Sequence, residues 1–210
     1  MSYPLQVLSL YKKFIKLSRN WETTVPLQSF IEKNDSLKEV RENDKQLTSG
    51  TTGLSSWQAA SILASYILYD VEFNLKHNFR DKKILEIGSG CGLTGIAIKI
   101  FNNPSFINLT DGNEIVLKQL EYNVQVNDLS FESDNIAVSY LNWEEEYRDD
   151  IIYDYIIAAD VVYDPSILSS LLKTISKLLQ SNTSAVFIIA STLRNPETIE
   201  AFENQIGKEE

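Results

Sequence analysis

The sequence predicts an α/β fold, a parallel sheet with helices on both faces. Three observations carry it. From Lys82 onward, short apolar runs of strand character alternate with longer segments of helical periodicity. Strand, helix, strand in alternation closes into parallel pairs through right-handed crossovers. The first run, Lys83-Ile-Leu-Glu-Ile87, ends in a cluster of glycines (Gly88, Gly90, Gly92) before a helix begins.

The elements follow in order. Leu5, Leu8, Leu10, Tyr11, Phe14, Ile15 and Leu17 suggest one helix, and Leu27, Phe30, Ile31, Leu37 and Val40 one or two more. Residues 1–47 are therefore read as a helical N-terminal segment, and residues 48–210 as the main domain, joined through the turn-rich stretch Thr48-Ser-Gly-Thr-Thr-Gly53. Trp57 to Val71 is a helix with Ala59, Ile62, Leu63, Tyr66 and Ile67 available for packing. Strands are expected at Ile84–Gly88, Phe106–Thr110, Ile136–Leu141, Tyr153–Ala159 and Ala185–Ala190. Helices are expected at Thr94–Phe101, Glu114–Asn127, from Pro165 to Leu179, and from Pro196 to Ile206. Proline suits the first turn of a helix, where its missing N–H is no loss.

In such sheets ligands sit at the carboxyl ends of the strands, near the switch point beside the first one. A glycine turn there brings the main chain close to a ligand, and the free N–H groups of the next helix favour a polar or anionic group. The chain thus carries a nucleotide-type cofactor cradle.

Bulk composition narrows the partners. A formal charge of −10 argues against a general binder of nucleic-acid backbones, which needs a basic face. One cysteine, Cys91, permits no disulfide framework, and one histidine, His77, permits no multi-histidine metal site. His77 reads as a surface residue in a polar stretch, and Cys91 as a small filler of the cofactor turn. No signal-peptide pattern and no membrane-length apolar run is visible, so a cytoplasmic protein is expected.

Gly90-Cys-Gly-Leu-Thr-Gly95 satisfies the dinucleotide pattern G-x-G-x-x-G, which leaves an NAD-linked oxidoreductase open. Against it, the glycines start earlier, at Gly88, and Glu86 lies inside the strand. No Tyr-x-x-x-Lys pair is present for hydride chemistry. Asp111 ends the second strand, about 20 residues on, where a carboxylate accepts hydrogen bonds from ribose hydroxyls in either cofactor class.

The spacing Glu86-x-Gly-x-Gly-x-Gly92 resembles the first motif of seven-strand S-adenosylmethionine-dependent methyltransferases. Thr52-Gly-Leu-Ser-Ser-Trp-Gln-Ala-Ala60, Thr110-Asp111, Leu141-Asn-Trp143 and Ala158-Ala-Asp-Val-Val-Tyr163 extend the resemblance to the protein-lysine methyltransferases of that class, marked by Asp-x-x-Tyr after the fourth strand. Gly50–Leu54 and Arg194–Thr198 are similar to members that methylate a lysine of translation elongation factor 2. The resemblance implies a Rossmann-like class I methyltransferase sheet, S-adenosyl-L-methionine as cofactor and a protein substrate, with elongation factor 2 the expected one. That class ordinarily adds strands six and seven; the sequence stops at Lys208-Glu-Glu210, so both are expected to be missing and the fifth strand to be an edge. The alternative function is a non-catalytic, shortened binding module.

Site residues follow from both lines of reasoning. The resemblance lays the methionine portion over Gly88, Ser89 and Gly90, and makes Trp57 part of the cofactor wall, Trp143 an adenine neighbour and Ala159 a small residue beside the ligand. Core packing is the bland reading of Trp57, and surface anchoring that of Trp143. Glu86, a buried carboxylate in need of a partner, suits the cofactor's ammonium. Gly92 and Gly95 suit helix–sheet packing. Asp160 and Tyr163 are the expected catalytic pair, the acid orienting the arriving amine and the ring aligning it; otherwise they organise the loop before Pro165. No metal site is expected.

Overall fold

The computed structural model describes residues 37, 39–42, 52–72, 77–192 and 196–207. Its elements run α1 (Gln58–Glu72), β1 (Lys83–Ile87), α2 (Leu93–Asn102), β2 (Phe106–Asp111), α3 (Glu114–Val126), β3 (Ile136–Tyr140), β4 (Tyr155–Ala159), a 3₁₀ turn (Pro165–Ile167), α4 (Leu168–Ser181), β5 (Val186–Ala190) and α5 (Pro196–Gly207). Among the described residues the sheet has five strands, all parallel, in the order β3-β2-β1-β4-β5. β5 pairs with β4 alone.

Strand alternation divides the core in two. Ile84, Ile107, Leu109, Ile157 and Ile188 face one way, onto Leu63 and Ile67 of α1, Ile96 and Ile98 of α2, and Leu120 and Val124 of α3. Leu85, Ile87, Ile156, Phe187 and Ile189 face the other way, onto Leu171, Leu172 and Ile175 of α4 and Ile199 and Phe202 of α5. β1 is covered on both sides, which is why its sequence is a nearly continuous apolar run rather than an alternating one. The one polar residue buried within it, Glu86, is 2% exposed.

Because β1 lies at the centre, the chain leaves it toward β2 and β3 and returns to β4 on its other side. The connections after β1 and β4 therefore diverge to opposite faces, and a crevice opens at the carboxyl ends. Helix starts frame it. Asn113 caps α3, its side-chain oxygen accepting from the amides of Ile115 (2.9 Å) and Val116 (3.3 Å). Asp164 caps the 3₁₀ turn by accepting from the amide of Ser166 at 2.8 Å.

Four expectations need correction or bounding. His77 is not a surface residue: it is 6% exposed, its ring edge-on to Tyr155 at 5.8 Å. Pro165 opens a 3₁₀ turn, and the α-helix begins only at Leu168. The fourth strand starts at Tyr155 rather than Tyr153, whose hydroxyl instead donates to Asp149 and pins the preceding loop. Residues 39–42 show no helix; the Glu39 amide donates to Asn127, just past α3, and the Arg41 amide to Asn123 of α3, so the helical reading of Val40 fails. The helix expected around Leu5–Leu17, most of the 1–47 segment, Gly50 and Arg194 lie outside the described residues.

Candidate active site

A cavity of about 260 Å³ occupies the crevice. Its floor is the glycine turn after β1. Gly88 sits at φ +66°, and a Cβ there would stand 2.7 Å from Val161 Cγ1 and 3.3 Å from the Trp143 ring. Only glycine fits this backbone in this space. Gly92 does a different job: a Cβ would stand 2.3 Å from Leu120 Cδ1 of α3, and one on Gly95 would stand 2.2 Å from Leu109 Cδ2. Those two glycines let α2 lie against α3 and the sheet, as the sequence suggests.

The turn is locked to β2. The Ser89 amide donates to the Thr110 carbonyl at 2.8 Å, and the Thr110 amide donates to Ser89 Oγ at 3.0 Å. Asp111 takes the Gly90 amide on Oδ2 at 3.2 Å and the Asn113 amide on Oδ1 at 3.1 Å. Its carboxyl is nonetheless held above the ordinary aspartate value, because burial outweighs those bonds. Cys91 is buried beside it, its thiol within 3.5 Å of the Gly53 carbonyl. Burial first, then Glu42 and Asp111, pushes that thiol up to about 12, so no nucleophile forms there.

Glu86 reaches the cavity from inside the sheet. Its pKa is pushed up to about 8, with desolvation the dominant cause; Ser89, Gly95 and Thr94 pull it back only in part. Its Oε2 has no hydrogen-bond partner, and neither does the buried Oγ of Ser56 in the same wall. Buried polar atoms are rarely left that way.

Above the floor stand two indoles. Trp57, at the start of α1, anchors its Nε1 on the Thr52 carbonyl at 3.2 Å. Trp143 follows β3, packs on the α4 side of the core and lies over Gly88. Ala159, Asp160 and Tyr163 line the cavity at the end of β4, and Tyr163 is 54% exposed at the mouth. The Asp160 carboxylate is taken on both oxygens by Thr192, from the loop after β5. All ten residues singled out from the sequence thus line one cavity. Sequence reasoning missed Ser56, Asn113, Glu144 and Thr192. Ser56 lay within the Thr52–Ala60 motif, and Asn113 within the cap signal Asp111-Gly-Asn113; Thr192 had no signal, since its role depends on a partner 32 residues away.

Charge decides between cofactors. Four carboxylates, those of Glu86, Asp111, Glu144 and Asp160, line the cavity, and no lysine, arginine or histidine among the described residues does. Such a wall attracts a cation and repels the diphosphate of a dinucleotide. Among the described residues no group of acids, histidines or cysteines is arranged to hold a metal.

The profile of the family described as "Lysine methyltransferase" matches residues 33–208. The chain belongs to this family. It is 30% identical over 213 residues to Protein-lysine N-methyltransferase EEF2KMT of Homo sapiens, an alignment covering 95% of this chain and 63% of that protein. Against Protein-lysine N-methyltransferase EFM3 of Chaetomium thermophilum it is 33% identical over 168 residues, covering 76% of this chain and 48% of that one. The chain therefore spans less than two thirds of the length of these relatives. The family's cofactor is S-adenosyl-L-methionine. The residues present fit it: an orphaned buried carboxylate oxygen, and acids as the charged lining among the described residues, suit a ligand bearing an ammonium and a sulfonium. As for the membrane, no described helix is long and apolar enough to cross one.

Proposed function

We propose that the protein is an S-adenosylmethionine-dependent protein-lysine N-methyltransferase whose substrate is translation elongation factor 2. The observation that supports it best is a glycine-floored cavity whose charged lining, among the described residues, is acidic, in a lysine methyltransferase family member. Gly88, Ser89 and Gly90 would carry the amino-acid end of the cofactor, with Glu86 facing its ammonium. Asp111 would take the ribose hydroxyls, and Trp143 and Trp57 would wall the flat and apolar parts.

When bound, the cofactor would supply a sulfonium methyl group to a neutral amine, whose lone pair would form the N–C bond while the S–C electron pair leaves on the thioether sulfur of S-adenosylhomocysteine. A lysine side chain has a pKa of about 10.4 and arrives protonated. Asp160, at the mouth, attracts that cation and fixes its direction, while the half-exposed Tyr163 ring gives the methylene stem an apolar face. Desolvation there lowers the amine's pKa, as does the nearby sulfonium, and the proton leaves to water before attack.

The test is incubation of the purified chain with labelled methyl donor and elongation factor 2. Label on a lysine of that factor, lost in Tyr163→Ala, is the expected result. Label appearing only on other proteins would move the substrate. Tight binding of S-adenosylhomocysteine with no label on any protein would favour the alternative of a non-catalytic binding module.

A further inference from the structure

We propose that Asn123 is a positioning residue for the cofactor loop, and that the backbone strap at residues 39–41 completes it, so that a segment outside the cavity governs the shape of the cavity floor. Asn123 is fully buried on α3. Its Nδ2 donates to the Cys91 carbonyl at 2.8 Å, in the turn that carries Gly88, Ser89 and Gly90, and also to the Arg41 carbonyl at 3.1 Å. Its Oδ1 accepts from the Arg41 amide at 3.0 Å and from Gln119 Nε2 at 3.2 Å. An asparagine side chain has two N–H donors and two lone pairs; all four are used here.

Asn127, one turn on, repeats the pattern two residues earlier in the strap. It donates to the Glu39 carbonyl at 2.6 Å and accepts from the Glu39 amide at 3.4 Å. The spacing has a simple cause. Four helical residues rise about 6 Å, and two extended residues span about 6.6 Å. Asparagines four apart on a helix therefore present a ladder that an extended strand can pair with at every second residue. The Arg41 guanidinium closes the end of the strap, 5.2 Å from the centre of the Tyr122 ring.

Neither Asn123 nor the strap lines the cavity. Their link to it is the Cys91 carbonyl. If the strap lifts, Asn123 keeps its place only by leaving buried polar groups unpaired, and its grip on Cys91 loosens. The turn's other bonds then carry the loop: Ser89 to Thr110 in both directions, Gly92 amide to Ser89 carbonyl at 2.9 Å and Gly90 amide to Asp111.

Arg41→Pro removes the strap donor to Asn123 without touching the cavity, and Arg41→Ala keeps that donor as its control. Two readouts are followed: amide hydrogen exchange at residues 89–92 in the ligand-free chain, and S-adenosylhomocysteine affinity by calorimetry. Only the affinity arm rests on the proposed cofactor. Arg41→Pro is expected to speed exchange at 89–92 severalfold and to weaken affinity about tenfold, with Arg41→Ala close to wild type. Asn123→Ala is expected to do the same, and the double variant to be no worse than Asn123→Ala. Unchanged exchange in Arg41→Pro overturns the coupling, whatever happens to the melting temperature. A wild-type chain that binds no S-adenosylhomocysteine would sink the cofactor reading, and the exchange arm would still decide this one.

Discussion

Thr192 grips Asp160 with both of its polar hydrogens: its amide donates to Oδ1 at 2.6 Å and its hydroxyl to Oδ2 at 2.9 Å. The Asp160 amide in turn donates to the Ala190 carbonyl at 2.8 Å. These bonds tie the end of β4 to the end of β5 and fix the carboxylate at the mouth of the cavity. They also hold a strained residue, for Asp160 has φ +54°, a left-handed backbone that aspartate and asparagine tolerate better than other side chains.

Charge and backbone can therefore be separated. Asp160→Asn keeps the left-handed tolerance and can keep both bonds to Thr192, with the hydroxyl turned to accept. It should leave the melting temperature near wild type and lower kcat for protein methylation about tenfold or more. Asp160→Ala should lose the same activity and in addition about 1–2 kcal/mol of stability. Methylation kinetics beside thermal melts check this; full activity in Asp160→Asn would remove the carboxylate from the chemistry.

Thr192 is open to a matched pair. Thr192→Ser retains the hydroxyl, while Thr192→Val retains only the amide bond and removes the hydroxyl donor to Oδ2. Thr192→Val is expected to reduce kcat severalfold, with S-adenosylhomocysteine affinity unchanged, because Thr192 does not line the cavity. Thr192→Ser should restore the rate. An equal loss of affinity in Thr192→Val would show a general loosening rather than aim at the substrate.

Gly88→Ala puts a methyl 2.7 Å from Val161 Cγ1 at a left-handed φ of +66°. The backbone alone costs about 1–2 kcal/mol, and the clash displaces Val161 or the Trp143 ring into the cofactor space. Calorimetry should find S-adenosylhomocysteine binding lost. Val161→Ala added on top should recover part of the affinity, since it removes the clash and not the φ strain. Wild-type affinity in Gly88→Ala would mean that the turn has room and that the glycine is incidental.

The sheet was readable because β1, β4 and β5 are largely apolar runs and β2 alternates apolar with polar residues, with helices of ordinary length between most of them, and local pattern suffices for that. The cavity residues were readable because the glycines, Asp111 and Asp160 sit at strand ends, where topology puts ligands, and Glu86 is an acid inside an otherwise apolar strand just before one. Long-range pairings left no local mark. Asn123 and Asn127 look like solvent-facing helix residues until the strap is seen beside them. His77, in a polar stretch, is buried beside its near neighbour Phe79 and against Tyr155, which comes to it from elsewhere in the fold. Val40 has the apolar spacing of a helix, but its neighbours' amides are bonded to the side chains of Asn123 in α3 and Asn127 just after it.

Glu86 makes both stability and cofactor binding depend on pH. Its folded pKa is raised from 4.5 to about 8, chiefly by desolvation, with Asp111 the charged neighbour facing it. A raised carboxyl means that the folded chain holds a proton that the unfolded chain has released. The stabilising share of Glu86 is thus complete below its ordinary value and is lost as the pH climbs toward about 8. Thermal melts of the ligand-free chain should fall over that window, and Glu86→Gln, neutral throughout, should flatten the slope. Binding runs the other way. An arriving ammonium favours the charged carboxylate, so a proton leaves as ligand enters, and S-adenosylhomocysteine affinity should rise over the same window. Calorimetry in buffers of different ionisation heat counts that proton. Glu86→Gln should bind more weakly, with neither proton release nor pH dependence from this group; if it binds as tightly as wild type and keeps the same pH slope, Glu86 is not the carboxyl that meets the ligand.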